Sequence, residues 1–443
     1  MRDKISMSYY LKKYKLINIL ILIIAFLSPF EESCIQSISY IIRLFLFIIG
    51  LFTIFFVILE HKIIISKNRL LLFSLFIIPI LLSFWGMTYV QIVNPNGLYF
   101  KNVFFDTIGR ILNYTFLVLF AYRVLGFQKY RFCNGFDNDS FIKSYWLGCL
   151  LAIIFCIWQF ISMYFGVIPF PFNTRDYVNS VSGSIASIVP GRITGILEEP
   201  SYIVPVILDF VFLSYFYVNN YFKMPMIVIS LLCLFFTFSG SAGLEFLLLI
   251  LSFYLYLTLF ICCNKNDKTK TIIWGALTLV IVASFVLLYR LKDGLLMLFL
   301  SRLSNVAYSG RFKTFILPFV LSFDSSYFNL IFGHGVKSFI LLEGRDAVTS
   351  NSLYPDIFWE HGLIGLLGIF IFAFLVLKKY IFKKLTNRRI LIILFIFHFL
   401  IASLYRSDFA STRSFIIIMI ITILCEKEKI RPFSINHNLK EVN

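Results

Sequence analysis

The sequence predicts an all-α polytopic membrane protein that forms a single integral membrane domain over residues 1–443. Hydrophobic residue types make up 59% of the chain and charged types only 14%, whereas a soluble domain carries about 25% charged residues. Phe, Tyr and Trp alone account for 19%. No water-soluble core needs that much apolar side chain, which excludes a soluble enzyme, a disordered chain and a coiled coil.

Twelve apolar segments are candidates for membrane-spanning helices, each of which needs about 20 largely apolar residues. The first is about as long as a signal peptide, but it lacks a small-residue cleavage site, so we expect an uncleaved helix. The last two are short, and they could instead form a hairpin that does not fully cross. The segments are residues 16–30, 38–59, 70–92, 108–126, 145–168, 202–218, 224–240, 242–263, 272–290, 357–377, 390–405 and 414–425.

The basic residues predict the orientation of these helices. The net charge is +17, from 40 Lys and Arg against 23 Asp and Glu. In a soluble protein this charge would suggest nucleic acid, but in a membrane protein cytoplasmic loops rich in Lys and Arg are its usual cause. If the N-terminus is cytoplasmic, the inside segments hold 26 Lys and Arg and the longer outside segments hold 13. The positive-inside rule therefore places both termini in the cytoplasm, and no nucleic-acid partner is expected.

Two predicted external segments are too long to be simple connectors. They are residues 169–201, between helices five and six, and residues 291–356, between helices nine and ten. Loops longer than about 12–15 residues tend to be functional or disordered, and the composition of these two is not that of disorder. The second contains an amphipathic stretch, which we expect to lie along the outer membrane–water boundary as short helices.

Six ionisable residues inside predicted spans are informative by their depth, because each costs about 2.5–3.5 kcal/mol at a helix centre on insertion scales. Any one of them could simply extend its side chain to the interface. Five share the external side, beside two basic loops, which predicts a polar cavity open to the external leaflet. A transporter would place its polar site near the midplane instead. The five are Arg43, Arg110, Asp209, Glu245 and Glu360, and the exception, near mid-span, is His398.

The first long segment ends in a charged sequence before a predicted helix. Glu198 and Glu199 directly precede Pro200, a residue that fits the first turn of a helix. The helix dipole favours carboxylates at that position. One interpretation is an ordinary N-terminal cap beside a solvated Arg192. The other is an arginine that binds an anionic substrate and a glutamate that accepts a proton.

The second long segment contributes a further arginine and a histidine. Arg311 follows a plausible helix start, where a guanidinium can bind phosphate beside free backbone N–H groups. His334 lies between two glycines and is expected to be exposed, either as an ordinary loop histidine or as an acid or base. Gly362, Gly365 and Gly368 share one helix face, which predicts close helix packing.

Taken in order, these motifs resemble those of the O-antigen polymerase (Wzy-type) and O-antigen ligase superfamily. The helix count and the long loop before helix ten extend the resemblance over most of the chain. The matching residues are Arg192, Gly195, Glu199, Pro200 and Ser201, a Ser/Gly turn at 239–243, Ser-Gly-Arg at 309–311, Gly-x-Gly at 333–335, and Asn351 with Glu360, Gly362 and Gly365.

The chain departs from the superfamily pattern at three positions, one of which helps to choose among its members. Ligases tend to have His immediately before the Asn of the last motif, where this chain has Ser350, and this favours a polymerase. It also means that no catalytic base can be transferred from the resemblance. Tyr354 stands where Leu is expected, and the usual Arg of the turn between helices seven and eight is missing.

The resemblance implies a GT-C-like, inverting, metal-independent glycosyltransferase without a cofactor at the periplasmic face of the bacterial inner membrane. It would transfer a growing polysaccharide from undecaprenyl diphosphate to an incoming lipid-linked repeat unit. The implied partners are that lipid-linked oligosaccharide, membrane lipid and a chain-length regulator. The alternatives are an O-antigen ligase, a lipid-linked oligosaccharide flippase and a solute transporter. A flippase should have short outside loops and polar residues deep in the bundle.

This reaction needs anion-binding arginines and a base. We expect Arg192 and Arg311 to converge on one cavity and to hold the leaving diphosphate, because fixed guanidinium groups stabilise developing negative charge. The complete set of candidates is Arg192, Arg311 and Arg345 for the diphosphate, Glu199, then Glu198, then His334 as base, and Asn351, Glu360, Asp209 and Arg110 as a supporting polar cavity.

The charge distribution makes a testable topology prediction. Reporter fusions at Lys265 and Lys383 should report a cytoplasmic location, and a fusion near Asp324 a periplasmic one. Paired phosphatase and fluorescent-protein fusions at each position measure this, with each reporter serving as the control for the other. A cytoplasmic signal at Asp324 would overturn the orientation and the site that depends on it.

Overall fold

The computed structural model shows an all-helical chain, as the sequence predicts. Throughout the described residues the only β-type pairing is an isolated antiparallel bridge between Ser33 and Leu197, and no strand is present. The structure describes residues 16–60, 67–126, 138–172, 191–237, 239–263, 275, 278, 310–343, 352–378, 387–406 and 411–430.

Every predicted span that falls within the described residues coincides with a helix. The predicted ninth span, 272–290, lies outside them except for residues 275 and 278. Three shorter helices, α9 to α11, occupy the described part of the second long segment, as its amphipathic sequence predicts. The helices are α1 Leu16–Phe30, α2 Gln36–Glu60, α3 Lys67–Val93, α4 Gly97–Gly126, α5 Asn138–Phe165, α6 Pro200–Tyr217, α7 Asn220–Phe236, α8 Gly240–Cys263, α9 Gly310–Asp324, α10 Tyr327–Phe332, α11 Phe339–Glu343, α12 Leu353–Leu377, α13 Asn387–Ala402 and α14 Thr412–Ile430.

Four of the described helices are long and apolar enough to cross a membrane. Eight further apolar helices have 10–17 residues. The outer surface carries large apolar side chains such as Trp85, Phe105 and Phe374, each more than half exposed, as expected for a surface that faces lipid. The four long apolar helices are Gln36–Phe55, Gly97–Leu125, Asn138–Phe165 and Leu353–Leu375.

The last helix, α14, lies at the centre of the bundle. Every residue from 411 to 425 is buried except Thr422, which is half-buried. Phe415 packs edge-on against Tyr114 of α4, with the ring centroids 5.3 Å apart. A helix that is apolar all round is stable only when it is covered all round. The isoleucine-rich sequence of α14 therefore selects the central position.

Three glycines bring α3, α12 and the turn after α10 into backbone contact. Gly362 interrupts α12 with φ 65° and ψ −163°, and Gly333 ends α10 with φ 80°. A Cβ atom on Gly86, Gly333 or Gly362 would overlap backbone atoms of the neighbouring segment. The predicted close packing is confirmed at Gly368, where a Cβ would lie 2.7 Å from the Leu75 carbonyl oxygen. Gly362 also packs closely, against the Ile331 carbonyl, but it does so at a kink that the spacing alone did not predict.

The glycine contacts predict that a methyl group added at Gly333 destabilises the protein, whereas one added at Gly109 does not. Gly333→Ala should lower the thermal unfolding midpoint of the purified protein, because the new Cβ collides with the Glu360 carbonyl and the left-handed φ disfavours alanine. Gly109→Ala is the matched control, since nothing lies within 4 Å of its Cβ position in α4. That substitution should leave the midpoint unchanged or raise it. Equal effects of the two substitutions would contradict the packing.

Candidate functional site at one end of the bundle

Connections predicted to be external meet at one end of the bundle. The Glu31 carboxylate accepts hydrogen bonds from the Thr412 N–H at 2.7 Å and from the Thr412 hydroxyl at 3.0 Å. The Cys34 N–H donates to the Ile196 carbonyl at 2.9 Å. These contacts join segments that follow α1, precede α6 and follow α13, as alternating helices require. We call residues 31–34, 192–202, 403–406 and 411–413 the junction.

Arg406 connects the three segments of the junction. One terminal nitrogen donates to the Tyr202 carbonyl at 2.9 Å, and the other lies 3.5 Å from the Glu32 carboxylate. The guanidinium also lies over the Tyr202 ring, 4.9 Å from its centroid. A cation over an aromatic face is attracted by the ring quadrupole. Arg406 therefore fixes the start of α6 against the end of α13.

The two predicted glutamates lie at the start of α6, as the sequence indicates. Pro200 is the first helical residue and Glu199 its N-cap, and the Ser201 hydroxyl donates to the Glu199 carboxylate at 3.3 Å. The Glu198 N–H donates to the Glu32 carbonyl at 3.2 Å. Both glutamate side chains are partly exposed, so each can meet a substrate that reaches the junction.

Arg192, in the same segment as these glutamates, is anchored to the end of α7. Its Nε donates to the Thr237 carbonyl at 3.1 Å, just past the end of α7. The chain that follows is held by Gln159 of α5, whose side-chain oxygen accepts from the Thr194 and Gly195 N–H groups at 2.8 Å each. Contacts with α5 and α7 therefore fix the position of Arg192.

A network of ionisable side chains lies in the bundle interior beneath the junction. Arg413 donates to the Asp209 carboxylate at 2.7 Å, and the Tyr145 hydroxyl donates to the same oxygen at 2.6 Å. His398 contacts Asp209 through Nε2 at 3.1 Å and Glu245 through Nδ1.

Tyr405 completes this buried network, which we call the His398 network, because its hydroxyl donates a hydrogen bond to Glu245. The Asp209 and Glu245 side chains are fully buried. Buried ionisable groups of this kind usually mark a functional site, or they form ion pairs that hold helices together. Within the described residues, no group of three or more His, Cys, Asp or Glu side chains is arranged to hold a metal ion.

A second polar cluster lies where α4 approaches the α12 kink. Arg110 and Glu360 form an ion pair with 3.8 Å between nitrogen and oxygen. The Lys337 N–H donates to the Glu360 carboxylate at 2.8 Å, while the Lys337 ammonium lies 3.1 Å from Asp106. The kink thus presents the Glu360 side chain to the turn after Gly335.

The expected exposure of His334 is wrong, since only 4% of the residue is accessible. Its ring stacks on Trp359 with centroids 4.0 Å apart. Burial lowers the pKa of the imidazole to about 4, from an ordinary value near 6.5. The neutral ring therefore stabilises the fold above about pH 6.5, and this contribution is lost as the pH falls toward 4. Such a buried, weakly basic ring is poorly suited to act on a substrate.

The other predicted site residues fall into three groups. Arg192, Glu198 and Glu199 belong to the junction. Asp209 belongs to the His398 network. Arg110 and Glu360 belong to the second polar cluster, at the α12 kink. Arg311 lies in the first turn of α9, as predicted, but its side chain is outside the described residues, as are Arg345 and Asn351. The convergence of Arg192 and Arg311 therefore stays a prediction.

Several residues that build these sites are not among those predicted from the sequence. They include Glu31, Glu32, Tyr145, Lys337, Tyr405, Arg406 and Arg413. The two arginines contribute to the prediction only as charges of a short external connection. The sequence does carry a signal, because Arg406 and Arg413 enclose six residues between two apolar helices, and carboxylates lie within neighbouring spans. Nothing in that pattern specifies which carboxylate each arginine meets.

No protein-family model, no curated protein and no solved structure matches this chain.

Breaking the buried Asp209–Arg413 pair should lower the free energy of unfolding far more than breaking a surface ion pair. Arg413→Ala should lower the free energy of unfolding by about 3–5 kcal/mol, because it leaves a buried carboxylate uncompensated. Lys337→Ala is the control. It breaks a pair whose side chains are 65% and 36% exposed, and should cost at most about 1 kcal/mol. Unfolding of the purified protein in detergent measures both, and equal losses would contradict the assigned role of Arg413.

Proposed function

We propose that this chain is an O-antigen polymerase of the Wzy type, with twelve membrane crossings, both termini in the cytoplasm and the junction at the periplasmic face. It extends polysaccharide by transferring the growing chain from undecaprenyl diphosphate to one incoming lipid-linked repeat unit. The observation that carries the proposal is the junction. There, Arg192 and the Glu198–Glu199 pair of the superfamily-like motif lie at one end of the bundle, beside Arg406.

The arrangement suits a glycosyl transfer with inversion. The acceptor sugar hydroxyl attacks the anomeric carbon, a new C–O bond forms, and the bond to the diphosphate breaks with its electron pair leaving on the diphosphate oxygen. Glu199 accepts the hydroxyl proton, with Glu198 as the alternative base. Arg192 and Arg311 stabilise the diphosphate charge, and Arg345 is a further candidate.

The position of Glu199 bears on the choice of base. Glu199 is the N-cap of α6 and lies in the junction. The partly exposed position also leaves the side chain within reach of a substrate at the end of the bundle.

A second candidate, a flippase or transporter, is favoured by one specific observation. The His398 network places Asp209, Glu245, His398 and Arg413 in the bundle interior. Asp209 is the tenth residue of α6, about 14 Å along the helix at 1.5 Å per residue. Ionisable groups at such depth are typical of transport pathways, although the long segments before α6 and α12 fit an enzyme better.

Deletion of the gene separates these functions. Loss of a polymerase should leave lipopolysaccharide that carries a single repeat unit, because a separate ligase still attaches one unit. Loss of a ligase should leave an unmodified core with polymer on the lipid carrier, and loss of a flippase should abolish both products. Electrophoresis of lipopolysaccharide from the deletion strain measures the outcome, and a complemented strain is the control.

Point variants in the complemented strain test the site. Glu199→Gln removes a proton acceptor while nearly preserving shape, and Arg192→Lys removes the planar fork that binds phosphate bidentately. Each should reproduce the single-repeat pattern at normal protein level. Full-length polymer in Glu199→Gln would exclude Glu199 as the base and leave Glu198 as the candidate.

A further inference from the structure

His398 is held between two carboxylates in the interior of the bundle. Its Nδ1 contacts the Glu245 carboxylate of α8, and its Nε2 lies 3.1 Å from the Asp209 carboxylate of α6. The ring is 1% exposed, and it packs edge-on against Phe212 with the centroids 5.7 Å apart. Each ring nitrogen therefore faces a carboxylate oxygen.

Counting protons shows what this geometry requires. A neutral imidazole has one N–H and one nitrogen lone pair. With a neutral ring, one carboxylate oxygen would face that lone pair, and two electron-rich atoms would be in contact. Only a proton on the second nitrogen, or on one of the two carboxylates, makes both contacts attractive.

The neighbouring donors place that proton on the ring. Asp209 accepts from Arg413 and from Tyr145, and Glu245 accepts from Tyr405. Hydrogen bonds to the charged form of a carboxylate favour that form. With His398 as imidazolium, two positive charges balance two negative charges, whereas a neutral ring leaves one excess buried negative charge.

The ionisable groups around His398 come from the helices packed against α13. They are Asp209 of α6, Glu245 of α8 and Arg413 of α14, with Tyr405 just past the end of α13 donating a hydrogen bond to Glu245. From α12, the Tyr354 hydroxyl donates to the Leu400 carbonyl. A cavity with room for about one water molecule lies between this network and the junction. Its lining includes His398, Ser403, Arg406, Arg413 and Ser414.

We propose that His398, Asp209 and Glu245 form a buried proton-binding site, and that the bound proton holds α13 and α14 against α6 and α8. The ligand is a proton carried as the imidazolium of His398. Because Tyr405, Arg406 and Arg413 belong to the same connection, occupancy of this site also sets how that connection lies in the junction. The site does not depend on which reaction the junction performs.

Nitrogen-15 NMR of the histidine-labelled, full-length protein in lipid nanodiscs tests this directly. The chain has five histidines. At pH 7.5 an ordinary exposed histidine is roughly nine-tenths neutral. We expect one histidine with both ring nitrogens protonated at this pH, and we expect its signal to vanish in His398→Gln. Only neutral rings at pH 7.5 would overturn the proposal.

Two further variants test the proposal, and the NMR signal can be assigned to His398 in a second way. Glu245→Gln should shift the signal toward the neutral form, whereas Tyr405→Phe, which keeps the carboxylate, should retain it. An unchanged signal in Glu245→Gln would also overturn the proposal. If His398→Gln does not accumulate, the signal must survive substitution of each other histidine, His61, His334, His361 and His437. The readout needs no glycan synthesis, so its failure leaves the polymerase proposal standing.

Discussion

The ion pair between Asp209 and Arg413 is the constraint on which the interior of this protein depends. Charges buried in a bundle that faces lipid must be compensated within the bundle, since water is not available to solvate them. Asp209 lies on α6 and Arg413 at the start of α14, so compensation requires these two helices to adjoin. His398 extends the same requirement to α8 and α13, because it needs Glu245 as well.

The central position of α14 agrees with this constraint. Its apolar surface is continuous round the helix axis, and burial from residue 411 to residue 425 uses all of it. Apart from Thr422, its polar residues are confined to the ends, where Thr412 meets Glu31 and Arg413 meets Asp209. The same helix therefore supplies the apolar core and, through its first turn, anchors both the junction and the His398 network.

Close backbone contacts at three glycines hold α3, α12 and the turn after α10 together. With Gly86, Gly333 and Gly362 in place, the turn after α10 inserts between α3 and α12. The His334 and Gly335 N–H groups then donate to the Trp359 and Glu360 carbonyls at 2.9 and 3.0 Å. These bonds satisfy carbonyls that the α12 kink would otherwise leave without helical partners. The contact also buries the His334 ring, which explains why a histidine between glycines in a loop is inaccessible.

The sequence by itself determined the all-helical class, the helix positions within the described residues, and the helix starts at Pro200 and Gly310. These features are local, because a chain in lipid must satisfy its backbone hydrogen bonds within each segment. Only the tertiary structure decided the partners of the ionisable residues. Glu245 meets His398 across 153 positions, and Asp209 meets Arg413 across 204. Residue type shows which groups can pair, but the order in which helices pack selects the pairs. The same packing brought Arg406 into the junction and removed His334 from solvent.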